Sequence, residues 1–338
     1  MLRRALFWVG GLAVASYGAK LVLDVIGAAT PSKSFLSRGQ MPPEVTPNDR
    51  FYTVSKNIVD PTVDASTWTL EVAGLVESPY KLTLPELQAL PSRTQYVTLE
   101  CISNPVGGDL MSNALWRGVP LRDLLDRAKL KPGVVDVACF SDDGYSDSIP
   151  LSLALNSDVL VAYEMNGEPL PREHGAPARL LAPGKYGVKH VKWLTRIAPV
   201  DKAYSGYWQV RGWSHNAEVR TTSRIDVPAQ GATLPLEEGL VGGVAFAGAR
   251  GIRRVEVSAD RGRTWREAFL KPALSPYTWM LWTTPWRPPG NGSHTVLVRA
   301  TDGTGEVQTA VVEDSLPDGA TGWHEVTVSA QNAPQDTG

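Results

Sequence analysis

An α+β chain, two globular units behind one membrane-spanning helix, is the fold class that the sequence predicts, on three observations. The stretch from Ala5 to Leu23 carries a single charge, helix and strand signals interleave as far as about Val200, and beyond about Ala217 only period-two runs remain. At 338 residues the chain also exceeds the roughly 100–200 residues of one ordinary domain.

From Ala5 to Leu23 the only charge is Lys20, and a helix of that length spans ~28 Å, close to the hydrocarbon thickness of a bilayer. Residues 1–28 are therefore expected to be an anchor. Lys20 would snorkel at its far end, while Arg3 and Arg4 would stay in the cytoplasm, leaving the rest on the outer face of the cytoplasmic membrane. A cleaved signal peptide is the competing reading, and Arg3-Arg4 has the form of a short twin-arginine signal. Against cleavage, Gly27-Ala28-Ala29 is a poor small-x-small site. Residues 29–48, with Pro31, Pro42, Pro43 and Pro47, read as an extended spacer.

The first globular unit is expected over residues 49–205. Thr67 to Ala73 is strand-like, and Thr83-Leu84-Pro85-Glu86 has the Thr-x-x-Glu form of a capping box that starts a short helix. Leu121, Leu124, Leu125 and Ala128 share one helical face before a strand around Val134 to Phe140. The second unit, residues 215–330, reads as a β-sandwich. Val255, Val257 and Ala259 alternate with polar residues before Asp260-Arg261-Gly262, as do Val296, Val298 and Ala300 before Asp302-Gly303.

Composition narrows the chemistry. With 33 Lys and Arg against 35 Asp and Glu, nothing suggests a nucleic-acid partner. The two cysteines, Cys101 and Cys139, cannot build a four-thiolate cluster, and no Cys-x-x-Cys-His run exists for haem. Any electrons handled here must leave through a separate carrier. The thiols are either one disulfide or, as the apolar run around Cys139 favours, free and buried.

In Tyr96-Val97-Thr98-Leu99-Glu100-Cys101, the residues Val97, Leu99 and Cys101 share one strand face. Periodicity alone makes Cys101 a core thiol. The continuation, Ile102-Ser103-Asn104-Pro105-Val106-Gly107-Gly108, supplies polar groups, a bend and close-approach glycines, so a thiolate there also suits a soft metal. A second cluster, from His174 to Leu194, gathers Arg179, Lys185, Lys189, Lys192, His174 and His190 around Gly184 and Gly187. It is either a solvated basic loop or a phosphate site, and it has no P-loop form. His215, His294 and His324 are isolated and read as packing or surface residues.

Together these segments resemble the sulfite oxidase family of mononuclear molybdenum enzymes, in a bacterial membrane-anchored form. The most specific are YVTLECISN, Trp116-Arg117-Gly118-Val119-Pro120-Leu121, Ala162 to Pro171, and His174 to Leu194. The resemblance implies a mixed α/β molybdopterin-binding domain of the sulfite oxidase fold followed by an immunoglobulin-like sandwich that often mediates dimerisation. It further implies that Cys101 ligates molybdenum carrying one pyranopterin. Carried over by position, His174, Arg179, Lys189 and Lys192 contact the pterin phosphate, Val188 contributes backbone, and Tyr52, Thr53, Asn57 and Asp142 match other pterin contacts.

Departures matter too. Sulfite-oxidising members carry substrate arginines where Ser55 and Val106 stand here, and their pocket tyrosine aligns with Trp213, with Arg211 close by. An anion desolvated without cationic partners loses several kcal/mol, so a neutral or bulkier substrate fits better. Lys185-Tyr186-Gly187 resembles a branch that reduces protein methionine sulfoxide. Tyr277, Trp279, Trp282 and Trp286 form either a dimer contact or core. The expected activity is oxygen-atom transfer on a small substrate, with sulfite oxidation and sulfoxide reduction as alternatives. Electrons would be exchanged with a cytochrome or quinone-linked subunit. A cofactor-less, membrane-anchored binding protein is the non-enzyme reading.

Overall fold

In the computed structural model, residues 28–30 and 39–332 are described. The expected anchor lies outside them except for Ala28, and among the described residues no helix is long and apolar enough to cross a membrane.

The first unit runs β1 (Ala28–Thr30), β2 (Thr53–Ser55), β3 (Thr69–Val72), β4 (Tyr80–Thr83), α1 (Leu84–Gln88), β5 (Arg93–Glu100), β6 (Met111–Pro120) and α2 (Leu121–Ala128). It continues through β7 (Asp136–Ser141), β8 (Ser146–Pro150), α3 (Leu151–Ala154), β9 (Leu160–Met165), β10 (Glu168–Pro169), β11 (Arg179–Leu181) and β12 (Leu194–Val200). One sheet has the order β10-β9-β6-β5 with β11 on β9, the other β4-β3-β12-β7-β8. The main apolar cluster draws on both sheets and on α1 and α2.

Local rules hold where they are strongest. Thr83 and Glu86 form the reciprocal capping box at the start of α1. All four apolar residues of α2 are buried. Helix is scarcer than the interleaved signals suggest: the three α-helices have 5, 8 and 4 residues. Each ends where chain is drawn into a neighbouring strand, so the unit is mostly β.

The second unit comprises β13 (Thr222–Val227), β14 (Thr233–Pro235), β15 (Gly239–Phe246), β16 (Ile252–Ser258), β17 (Arg266–Glu267), β18 (Phe269–Leu270), β19 (Met280–Trp286), β20 (Gly292–Asp302) and β21 (His324–Gln331). A four-stranded sheet, β13-β15-β19-β18, faces a five-stranded one, β14-β21-β20-β16-β17. Val255, Val257, Val296, Val298 and Ala300 meet Ile225, Val241 and Trp282 between them, as the alternation predicts. Trp282 is core, and Trp279 lies in a cluster joining the two units; these two tryptophans are therefore not available at the surface for a dimer contact.

The stretch expected to be a spacer is, from Glu44 to Thr46, wedged between the units. Glu44 O accepts from Asn113 Nδ2 of β6 (2.8 Å) and from Trp279 Nε1 (3.0 Å). Thr46 N–H donates to Asn113 O at 2.7 Å, and Lys271 pairs with Glu44 at 2.6 Å. Prolines favour an extended segment; side-chain donors of both units, Asn113 Nδ2, Trp279 Nε1 and Lys271 Nζ, with the Asn113 carbonyl, gave it partners.

Candidate functional site

Cys101 follows β5 and is 7% exposed. Its N–H donates to Leu110 O (2.9 Å) and its carbonyl accepts from Asn104 N (3.0 Å), closing the loop on itself. Asn104 completes the turn: Nδ2 donates to Glu100 Oε1 at 2.9 Å and Oδ1 accepts from Leu110 N at 3.0 Å. The thiol lies 3.1 Å from Ser103 Oγ; burial pushes it up, against the pull of the Ser103 hydrogen bonds. Both cysteines are free and buried, which excludes the disulfide. Cys139, wholly inside the core, is likewise pushed up by burial.

Cys101 and Ser103 line a cavity together with Tyr52, Thr53 and Ser55 from the strand segment of β2. The basic loop adds His174, Arg179, Val188 and Lys192, and Lys56, Tyr145, Trp208 and Trp213 also line it. Gly187 is required here: a Cβ would sit 2.9 Å from Tyr52 Oη and 3.4 Å from Glu100 O. The loop thus passes flush against the strand that carries Cys101.

The charged groups of the cavity are unequally paired. Arg179 donates only to carbonyls, from Nη1 to His174 O (2.9 Å) and Nη2 to His190 O (3.2 Å), and its buried Nε has no partner. Lys192 Nζ donates to Ser55 Oγ (2.9 Å) and Glu173 O (3.0 Å). Burial lowers Arg179 to about 10, Lys192 to about 8 and His174 to about 4. His174 is therefore neutral, with Nε2 3.0 Å from Asn48 O. Lys56, next to Ser55, is paired with Asp143 at 3.7 Å. Trp213 Nε1 is buried without a partner.

Four expected site residues stand elsewhere. Lys189 Nζ is bound to Asp147 Oδ1 (2.7 Å) and Ser148 O (3.0 Å), with both side chains at most 2% exposed, so it is a core ion pair rather than a cavity wall. Asn57 bonds Asp143 (3.0 Å) and Asp142 is exposed; their neighbours Lys56 and Asp143 line the cavity instead. Arg211 is exposed, donating to Tyr207 O (2.7 Å) and stacking on its ring at 3.7 Å. Val106 packs beside Gly322 of the sandwich. Sequence reasoning missed Tyr145 and Trp208. Tyr145 follows Gly144 in the β7–β8 turn, a detectable signal; Trp208 had none beyond its type.

The residues present fit a phosphate-bearing molybdenum cofactor. Buried Arg179 and half-buried Lys192 form no ion pair among the described residues, and Arg179 lacks any partner at Nε. Such cations are stable only where an anion completes them. Among the described residues no three His, Cys, Asp or Glu converge on a metal position. A metal joined to Cys101 therefore takes its other donors from the group that carries it.

Comparison with known proteins agrees. Residues 57–208 match the oxidoreductase molybdopterin binding domain and residues 213–331 the Mo-co oxidoreductase dimerisation domain. Sulfite oxidase of Arabidopsis thaliana is 31% identical over 274 residues, covering 66% of this chain and 70% of that enzyme. The chain belongs to the sulfite oxidase family. Rat mitochondrial sulfite oxidase is 32% identical over 313 residues, 78% of this chain but 57% of the rat enzyme. The chain thus spans little more than half the length of that relative. The sulfane dehydrogenase SoxCD of Paracoccus pantotrophus shares the fold, with TM-score 0.78 and 23% identity over 90% of this chain and 88% of that one.

As a family member the chain binds the molybdenum cofactor, and Lys192 gives a test of how. Between about 8 and its ordinary 10.5, the unfolded chain holds more protons than the folded one. Ligand-free protein therefore gains stability as pH rises across that window and loses it as pH falls. Lys192→Met is expected to be at least as stable as the parent at pH 7, with an advantage that shrinks above pH 8. Cofactor retention should meanwhile fall roughly 10- to 100-fold, as for one lost charge-assisted bond. Urea midpoints against pH and cofactor dialysis measure the two effects; a destabilised variant that retains cofactor would contradict them.

Proposed function

We propose that the chain is a molybdenum-dependent oxidoreductase that moves an oxygen atom to or from a small, neutral sulfur compound. The observation that carries it is the make-up of one cavity: Cys101 lines it with Arg179 and Lys192, neither in an ion pair among the described residues, and with Tyr145, Trp208 and Trp213, while Lys56 is already paired with Asp143. Bound there, the molybdenum cofactor supplies the two-electron redox change.

The protein's part follows from its residues. Cys101 gives the metal a soft thiolate. Arg179 and Lys192 hold the phosphate, with Tyr52, Thr53, neutral His174 and Val188 shaping the same end. Tyr145, Trp208 and Trp213 exclude water, and Trp213 Nε1 offers one uncharged donor to a substrate oxygen. Ser55 is bound to Lys192 and Asp60, and Val106 faces the sandwich, so neither position helps an anion. The relatives' name supports a sulfur substrate.

The remaining readings concern assembly. The sandwich is taken as immunoglobulin-like and as the homodimer contact, residues 1–28 as the anchor, and a separate cytochrome or quinone-linked subunit as the electron carrier. Protein extracted from membranes of a host that makes the cofactor is expected to be dimeric, with about one molybdenum per chain.

With that preparation, a sulfoxide reduced by a viologen dye is expected to exceed sulfite oxidation by ferricyanide in kcat/KM. Loss of one desolvated charge partner is worth roughly 2 kcal/mol or more, so a gap of at least about tenfold is expected. Efficient sulfite turnover at micromolar concentration would overturn the neutral-substrate reading. Metal-free protein would overturn the enzyme reading.

A further inference from the structure

The loop after Cys101 is held from outside its own unit. Gly107, at φ +74°, lies so close to the His324 imidazole at the start of β21 that an added Cβ would run into the ring. That ring is fixed in turn, because Ile225 N–H of β13 donates to His324 Nδ1 at 3.0 Å. One residue on, Arg224 Nη1 donates to Gly108 O at 2.9 Å. Arg224 is itself oriented by Asp226, with Nε 2.9 Å from Oδ1 and side chains 6% and 0% exposed.

These contacts act close to the thiol. Two residues beyond Gly108, Leu110 accepts the Cys101 N–H through its carbonyl and donates its own N–H to Asn104. Displacement of Gly108 therefore passes to the bond that holds the Cys101 N–H and to the one that holds the Asn104 side chain. Within the loop, Asn104, Glu100 and Leu110 bind one another, while the restraints on Gly107 and Gly108 named above come from β13 and β21.

We propose that His324 and Arg224 are positioning residues for the metal ligand, a clamp on Gly107-Gly108 through which the sandwich sets the orientation of Cys101. The proposal rests on the reading of Cys101 as the molybdenum ligand. It gives the sandwich a role at the metal site in addition to any role in dimerisation. The clamp works by geometry alone, since neither residue reaches the cavity lining.

Arg224→Lys separates this role from a merely structural one. A lysine keeps a countercharge for buried Asp226 but has a single ammonium, not a fork, and cannot serve Gly108 O as well. Its thermal midpoint is expected to stay near the parent's. In ligand-free protein, alkylation of Cys101 by iodoacetamide, located by peptide mass spectrometry, should rise roughly tenfold as local opening becomes easier. In loaded protein the Mo(V) EPR signal, which reports thiolate orientation, should shift. Gly107→Ala, which forces the loop off His324, should move both readouts in the same direction.

Folded Arg224→Lys and Gly107→Ala proteins with parental alkylation rates and spectra would overturn the clamp. If the parent protein itself held no molybdenum, the reading of Cys101 as a ligand would fail. The alkylation arm would still decide whether the sandwich restrains the loop.

Discussion

Cys101→Ser is expected to yield a folded protein without molybdenum. A serine hydroxyl stays protonated at neutral pH and is a hard donor, whereas the site needs a soft thiolate. The exchange is nearly isosteric, and the loop is held by the backbone bonds of Cys101 and by Asn104, so stability should change by no more than about 1 kcal/mol. Metal analysis beside a thermal melt reads both effects. About one molybdenum per chain in folded Cys101→Ser would remove the thiolate from the metal and leave Cys101 as a core residue.

The second large effect concerns Lys189. Replacement by methionine leaves the Asp147 carboxylate buried without its countercharge, and breaking such a pair costs about 3–5 kcal/mol. Adding Asp147→Leu removes the orphaned charge and should recover most of the loss. Cofactor loading of the double variant should match the parent, because the phosphate is assigned to Arg179 and Lys192. Denaturant midpoints and bound pterin separate the possibilities. A Lys189→Met protein of parental stability that failed to retain cofactor would make Lys189 a phosphate contact after all.

Lys189 and Lys192 show where sequence reading stops. Both are lysines in one basic loop, and nothing in composition tells them apart. A 3-10 turn over Gly187–Lys189 points the first toward β8, while Lys192 reaches Ser55 on a strand segment far away in sequence. Asn57 and Asp142 stand one position from residues that line the cavity, Lys56 and Asp143, because both pairs lie in bends and turns where no strand periodicity says which side chain points inward. By contrast the capping box, the buried face of α2 and the alternation in β16 and β20 depend on local geometry, and all were legible.

Cys101 was half legible. Its strand face followed from period two, yet Thr98 and Glu100 on the opposite face are also buried. Residues Ser275 to Trp279 of the sandwich cover that face, with Thr98 N–H donating to Tyr277 O (3.0 Å) and Trp279 N–H to Thr98 Oγ1 (2.9 Å). No local pattern announces a neighbour contributed from so far along the chain. Trp208 and Trp213 entered the cavity wall in the same way.

The wedge at Glu44 has a consequence for how the native state is reached. It belongs to the early part of the chain, yet its bond to Trp279 closes a separation of 235 residues, and its bond to Asn113 one of 69. During synthesis the segment can join β6 as soon as that strand exists, but it must wait for nearly the whole sandwich before its other side is covered. Closing so long a loop is entropically slow compared with local hairpins. The junction through Glu44 is thus among the last contacts to form, and the first unit is completed only when the second has folded against it.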